Sequence, residues 1–370
     1  MEELKRTALY DWHREAGARM APFAGWEMPI QYPTGAIEEH HLVRRSAGIF
    51  DIGHMGCFEV AGGEAEAFLD RIVSSRMSGL ADGESRYGLL CREDGGILDD
   101  LFVYRLSPAR FLVVVNASNT GKDFAWFRKQ GEGKDLSLRD ASGETAILAL
   151  QGPRALEILR RAGDLDALPE RFFSARGRVA GRGCLVGRTG YTGEDGVEIY
   201  LPREDSLSVW EALLRAGAEA GIDVGPAGLA ARDSLRFEPG FALYGHELSE
   251  DITPVEAGLL WACDLGKPFV GREAVAARKA EGAREKLATF EMVEKSVPRE
   301  GFPVEDEEGK AAGRVVSGML APTLGKFAGN AYLRPDLASP GKTFYIVVRG
   351  ARKKAVAVRR PLYTPAYRKQ

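Results

Sequence analysis

A chain of 370 residues, 45% hydrophobic and 28% charged, is long enough for two or three cores under an ordinary polar surface. Its 50 basic and 53 acidic residues leave a net charge of −3, which excludes the electrostatic footprint of a nucleic-acid binder. Cys57, Cys91, Cys184 and Cys263 form no CxxC, and His13, His40, His41, His54 and His246 form no HExxH, so no metal is expected. The longest strongly apolar run, residues 111–115, is too short to span a bilayer, and the start lacks the apolar core of a secretory signal. A cytoplasmic protein with no membrane partner is the expectation.

Along the chain, Leu9, Trp12, His13 and Ala16 recur at helical spacing, with Gly17 where a C-terminal cap belongs. Residues 20–34, holding Phe23, Trp26, Tyr32 and three prolines, read as a loop. Residues 36–47 read as a helix stopped by Gly48, and residues 63–74 as another with Ala67, Phe68, Ile72 and Val73 as its apolar stripe. Three strand-like runs follow at 85–92, 97–106 and 111–117, joined by the turn words EDGG and SPAR. Residues 119–130 look helical and 145–150 extended, a mixture that reads as α+β. From about Gly225 the pattern is helical through LAARDSL, then irregular to Leu265, then helical again in FVGREAVAARKAEG. Beyond Arg284 the words LATFEMV, GRVVSGML, NAYL, TFYIVV and KAVAV are short β runs that suggest a small barrel or sandwich. A boundary near residue 280 follows, with a larger region at 1–280 and a C-terminal β-barrel domain at 281–370.

Two stretches carry candidate chemistry. In RTGYTGEDGVEIYL, residues 188–201, a loop with Gly190, Gly193 and Gly196 opens into a β run holding one carboxylate, Glu198, among Val197, Ile199, Tyr200 and Leu201. Such a carboxylate is costly to bury unless something pairs with it, and the glycines permit close approach of backbone to a flat ligand. The stretch lacks the Lys-Ser/Thr of a phosphate loop and the dinucleotide spacing, so by pattern alone it is a turn before a strand. In ILDDLFVYRL, strand alternation puts Asp99 and Asp100 on opposite faces. Asp100 falls with Leu98, Phe102, Tyr104 and Leu106, whereas Asp99 falls with Ile97, Leu101, Val103 and Arg105, near a turn that should leave it easier to solvate. Desolvation raises a carboxyl pKa, which makes Asp100 the better catalytic candidate.

These stretches belong to a longer set of ordered words: AGWEMP, FDIGHMG, GGILDDLFVY, PAGLAARDSLRFE, LYGHEL and APTLGKFAGNAYL. In order and spacing the set resembles the glycine cleavage system T-protein, a family of tetrahydrofolate-dependent aminomethyltransferases, from Thr7 to about Leu362. Departures are Gly53 where the family usually has Ser, and Ala231 where Gly is common. The resemblance implies a multidomain α+β folate-binding fold with a small C-terminal β-barrel. It implies catalysis by Asp100 and a pterin carboxylate at Glu198 supported by Arg232. Tyr87, Tyr191, Met55 and Phe241 would form walls, and Tyr367 would close the site. His54 and His246 take supporting positions, and Asp233 is open to a structural ion pair. The implied reaction moves an aminomethyl carbon from the lipoylated H-protein carrier to tetrahydrofolate as co-substrate, giving 5,10-methylenetetrahydrofolate and ammonia. A folate-binding iron–sulfur assembly factor would carry a KGCY-type word, and here Pro268 stands in that region without a cysteine. A flavin-linked oxidase would need an N-terminal dinucleotide domain. A folate-dependent demethylase of a small methylated substrate is the remaining alternative.

Overall fold

Alternating side chains divide the central strands of both sheets between two cores, and this sets the architecture. The computed structural model describes residues 3–365 and Tyr367. A five-stranded antiparallel sheet runs in the order Ser85–Cys91, Ile97–Ser107, Arg110–Val115, Gly56–Ala61, Ser137–Asp140. A seven-stranded sheet runs Gly163–Asp164, Ser174–Val179, Arg182–Gly187, Gly196–Pro202, Thr145–Gln151, Ala47–Asp51, Val224–Pro226, with only the last pair parallel. On one face of the first sheet, Leu101, Val103, Phe111, Val113 and Val115 pack against Phe68, Ile72 and Phe127 of helices Ala65–Ile72 and Thr120–Gln130. On one face of the second, Leu148, Leu150, Val197, Ile199 and Leu201 pack against Ile158, Val209, Trp210 and Leu213 of helices Ala155–Ala162 and Ser206–Glu219. The residues between them in sequence (Tyr104, Leu112 and Val114; Phe50, Ile147, Ala149 and Tyr200) form a shared middle layer. The order is therefore helix, sheet, sheet, helix, as period-2 patterning on both sheets demands.

Beyond Arg284 the strands close into a six-stranded barrel in the order Lys286–Met292, Lys326–Leu333, Ala311–Ala321, Pro303–Glu305, Thr343–Val348, Ala351–Val358. Phe290, Val304, Val315, Leu333, Phe344 and Ile346 fill it. On its outside, Leu287, Val316 and Tyr332 join Leu89, Ile97, Leu248 and Phe269 in a further apolar cluster. The strand Pro303–Glu305 is too short to show a period in the sequence.

Several elements differ from the sequence reading. Residues 20–34 are no loop: Arg19–Phe23 and Trp26–Gln31 pair as a hairpin turned at Ala24 (φ 50) and Gly25 (φ 81). Both turn residues have positive φ, which matches the twist of a tight hairpin. Pro22 and Pro29 are tolerated because no further named strand pairs with this two-stranded ribbon, whose outer edge is bridged only by Lys5 at Trp26 among the described residues. Gly48 does not stop a helix. The helix Ala36–Arg45 ends earlier, and Gly48 lies within the buried strand Ala47–Asp51, where a Cβ would collide with Val43. Near Gly225 the chain is the edge strand Val224–Pro226, and the helix is Leu229–Phe237.

Candidate active site

The middle layer is not filled throughout. A cavity of about 550 Å³ opens in it, lined by both sheets, the Leu229–Phe237 helix and the loop holding Leu243 to His246. Each sheet contributes a carboxylate to it by alternation: Asp100 from Ile97–Ser107 and Glu198 from Gly196–Pro202.

Asp100 accepts hydrogen bonds from the Tyr87 hydroxyl (3.0 Å) and from Asn116 Nδ2 (2.8 Å). Burial, and next the charge of Asp99, raise its pKa to about 7 against the pull of those bonds. Tyr87 pairs with Phe102 across the strands and is covered from outside by Trp261, whose ring stacks on it at 5.4 Å and 21°. Asp99 is not the better-solvated partner expected from the nearby turn. It is wholly buried, accepting from Asn116 N (3.0 Å), Asn116 Nδ2 (2.9 Å) and Asn119 Nδ2 (2.6 Å). The turn lies beyond a register shift at Leu90/Cys91, which separates Ile97 and Leu98 from the regular alternation that begins at Asp99.

Across the cavity, Glu198 Oε2 accepts from Thr189 Oγ1 (2.6 Å), the Tyr200 hydroxyl (3.2 Å) and the Tyr104 hydroxyl (3.4 Å). All these bonds fall on one oxygen. Arg232 reaches the same space from the Leu229–Phe237 helix, its guanidinium 4.8 Å from the centre of the Tyr191 ring. Its Nη1 is buried without a hydrogen-bond acceptor among the described residues. Burial pulls the Arg232 pKa down, opposed by the charge of Glu198. An unbonded guanidinium nitrogen beside a carboxylate that is too far for an ion pair is an arrangement built around something placed between them.

Of the residues expected as walls, three line this cavity. Met55, Tyr87 and Tyr191 line the cavity. Phe241 does not; it stacks behind Tyr191 at 5.8 Å and 18°, while the Tyr191 hydroxyl donates to the Ala242 carbonyl. Tyr367 lies outside the lining as well. Its hydroxyl donates to the Gly193 carbonyl (2.7 Å) and accepts from Arg171 Nη2 (2.8 Å), and the Arg171 guanidinium lies 4.0 Å from its ring centre. Asp233 pairs with Arg236 (2.8 Å) rather than with Arg232. Gly190 owes its identity to the protein itself, since a Cβ there would run into the Gln151 side chain.

Sequence reading passed over Asn116 and Tyr244, which line the cavity, and placed Phe102, which also lines it, only on the strand face of Asp100. Asn116, a polar residue ending the apolar run FLVVV, was the legible signal among them. His54 and His246 also line it. His54 is buried with Nδ1 unbonded, and burial together with the Arg232 charge lowers its pKa to about 4, so it is a neutral imidazole at pH 7. A second cleft of similar volume, around Arg71, Gln130 and Lys267, holds none of these residues; its buried amine, Lys267 Nζ, already donates to the Asp70 and Val73 carbonyls. Among the described residues no cluster of His, Cys, Asp or Glu is placed to hold a metal ion, and no helix is long and apolar enough to cross a membrane.

An apolar cavity with an acid on one side and a carboxylate and a guanidinium on the other is the arrangement of an enzyme active site. Residues 9–267 match the GCVT N-terminal domain, and residues 285–364 match the glycine cleavage T-protein C-terminal barrel domain. An aminomethyltransferase of Desulfitobacterium hafniense is 47% identical over 357 residues, covering 96% of this chain and 97% of its own length. The aminomethyltransferase of Symbiobacterium thermophilum is 45% identical over 377 residues and covers 100% of both chains. The crystal structure of glycine cleavage system aminomethyltransferase T from Bartonella henselae has a TM-score of 0.91 at 34% identity, over 98% of this chain and 99% of that one. The chain belongs to the glycine cleavage T-protein family of aminomethyltransferases.

Proposed function

We propose that this cavity binds tetrahydrofolate and that the chain transfers an aminomethyl carbon to it from the lipoylated H-protein, releasing ammonia and 5,10-methylenetetrahydrofolate. The observation that carries the reading is the orphaned Arg232 Nη1 beside a Glu198 carboxylate bonded through only one oxygen. A pterin edge presents a 2-amino group next to a ring N–H, which a carboxylate accepts, and a ring carbonyl, which a guanidinium donates to. Tyr191 and Met55 supply flat and soft walls for the ring.

Tetrahydrofolate supplies the two nitrogens between which the carbon is finally held. The protein's own part is positional and electrostatic. Glu198 and Arg232 fix the ring edge, and the aromatic walls exclude water. Asp100, with a pKa near neutrality, holds or accepts a proton where the nitrogens react. Tyr87 and Asn116 keep that carboxyl aimed into the cavity. Phe241 braces Tyr191, and Tyr367 braces the loop at Gly193, so both act one residue away from the ligand. We further propose that the chain divides at residue 280/281 into a folate-binding region and the barrel domain, and that it works in the cytoplasm without nucleic acid or membrane.

The test is a coupled assay with aminomethylated H-protein and tetrahydrofolate, following ammonia and methylenetetrahydrofolate together. Turnover is expected. Its absence, with turnover on a small methylated thioether or sulfonium, would reverse the substrate assignment.

A further inference from the structure

Behind the cavity wall, on the far side of the strand that carries Asp100, sits a carboxyl that the reaction above does not use. Asp123 lies in the first turn of the Thr120–Gln130 helix and has no exposed surface. Neither of its oxygens receives an N–H or O–H from any described residue. The polar group it faces is the carboxyl of Asp99, itself wholly buried. Two ionised carboxylates meeting in a dry layer repel strongly, and neither could donate to the other. A proton on one of them converts the repulsion into a charge-assisted O–H···O⁻ bond. The start of a helix favours an anion, but the Asp123 oxygens take no first-turn N–H, so ionisation there brings Asp123 no bond. Asp99 is the member with amide donors, from Asn116 and Asn119, and is therefore the anion.

We propose that Asp123 is a neutral carboxylic acid that donates its proton to Asp99, and that this acid–carboxylate pair is the positioning device behind Asp100. The linkage is direct. Asn116 Nδ2, held by Asp99 Oδ1 (2.9 Å), also reaches Asp100 Oδ1 (2.8 Å), so the orientation of Asp99 sets that of the cavity carboxyl. The pair also fixes the local charge at one negative rather than two. Other ionisable groups around the cluster are Tyr87, Tyr191, Tyr244 and Lys122. The phenols are neutral at pH 7, all with raised pKa values. Lys122 is bonded to Glu250 (3.1 Å), the Leu98 carbonyl and the Tyr244 hydroxyl. Asp99 is thus the charge on the far face of the strand that Asp100 feels, and the Asp123 proton keeps a second one from being added there. Burial and the Asp99 charge agree with this by pushing Asp123 well above the usual carboxylate range.

The inference rests on the reading of Asp100 as the reacting acid, and its test has an arm independent of that reading. In the protein alone, infrared difference spectra between wild type and Asp123→Asn should show a protonated-carboxyl C=O band that persists well above neutral pH and is absent from the variant. No such band in wild type overturns the proposal, whatever the activity assays give. In the pH profile of kcat/KM, Asp123→Asn should leave the limb assigned to Asp100 where it is, because a neutral donor replaces a neutral donor. Asp99→Asn should move that limb to lower pH, because it removes a charge. A shift to lower pH in Asp123→Asn would show that a charge had been removed there too, and would equally overturn the assignment. A profile limb that survives Asp100→Asn would instead mark failure of the Asp100 reading, leaving the infrared band to decide the pair.

Discussion

At Asp100 a carboxyl meets a cavity with a phenol and an amide bonded to it, whereas one position earlier Asp99 is sealed among amides and a helix. The two should therefore fail differently. Asp100→Asn keeps the volume but loses the proton-accepting capacity, and kcat should fall at least ~10²-fold with little change in melting temperature. Asp99→Asn puts an NH₂ against amide donors from Asn116 and Asn119, and should lower stability by roughly 1–3 kcal/mol in denaturant melts. A normal melt for Asp99→Asn would mean that its bonds are dispensable. The raised pKa of Asp100 also has a sign. Between its unfolded value near 4 and its folded value of about 7, the native state holds more protons than the unfolded one, so this group makes stability fall as pH rises through that window and level off above it. Asp100→Asn should flatten that slope in pH-dependent melts. Of the site, Asp100 was legible because a polar residue on a known face of an apolar strand points somewhere definite, whereas Glu198 stood out only as a carboxylate in an apolar run and was placed in the site by the family resemblance. The retreat of Phe241 behind Tyr191 and the bridging of Asp99 and Asp100 by Asn116 were not, because they depend on which distant segments pack together.

At the scale of elements, the strands that were legible have apolar residues on a regular period, such as Arg110–Val115 and Thr145–Gln151. Ser174–Val179 and Arg182–Gly187 are rich in Arg and Gly, lie towards the edge of their sheet, and owe their form to ladder bonds with each other. No local pattern announces a strand that exists because its partner does. The glycine loop is a legible element with a second cause that the pattern did not show. Gln151 is wholly buried; its Nε2 donates to the carbonyls of Thr189 (3.1 Å) and Val197 (3.2 Å), and its Oε1 accepts from Thr192 Oγ1 (2.9 Å). It braces the loop that places Thr189 on Glu198, and Gly190 leaves room for it. Gly190→Ala should cost about 1–3 kcal/mol by overpacking and weaken tetrahydrofolate binding in calorimetry, because Gln151 must move. Unchanged stability with weakened affinity would return Gly190 to the role of a ligand-facing gap, and no change in either would leave the glycine without a role.

Across the whole molecule, the barrel is tied to the cavity by the His246–Val316 bond, by Glu238 with Thr323, and most extensively by the buried carboxylate of Glu247. Glu247 accepts from Arg236 Nη1 (2.9 Å) and Leu243 N (3.0 Å) on the cavity side, and from Asn330 Nδ2 (2.8 Å) and the Ser317 hydroxyl on the barrel side. The Tyr332 hydroxyl of the barrel donates to its backbone carbonyl at 2.6 Å. Burial alone would raise the Glu247 carboxyl, but the Arg236 charge, with the Asn330 and Ser317 bonds, holds it below the usual range. Arg236 lines the cavity and also donates to the Phe241 carbonyl (3.1 Å), so the barrel contributes to the site without reaching into it. Glu247→Ala should leave Arg236 buried with only Asp233 as its acid partner, at a cost of about 3–5 kcal/mol, and should raise the KM for tetrahydrofolate as Arg236 shifts. Combining it with Arg236→Met removes the stranded charge, so part of the stability should return while the KM stays high. That split separates a stability role from a site role. If the single variant melts within about 1 kcal/mol of wild type and keeps its KM, the other contacts, the apolar ones of Leu287, Val316 and Tyr332 among them, hold the barrel, and the cavity does not depend on Glu247.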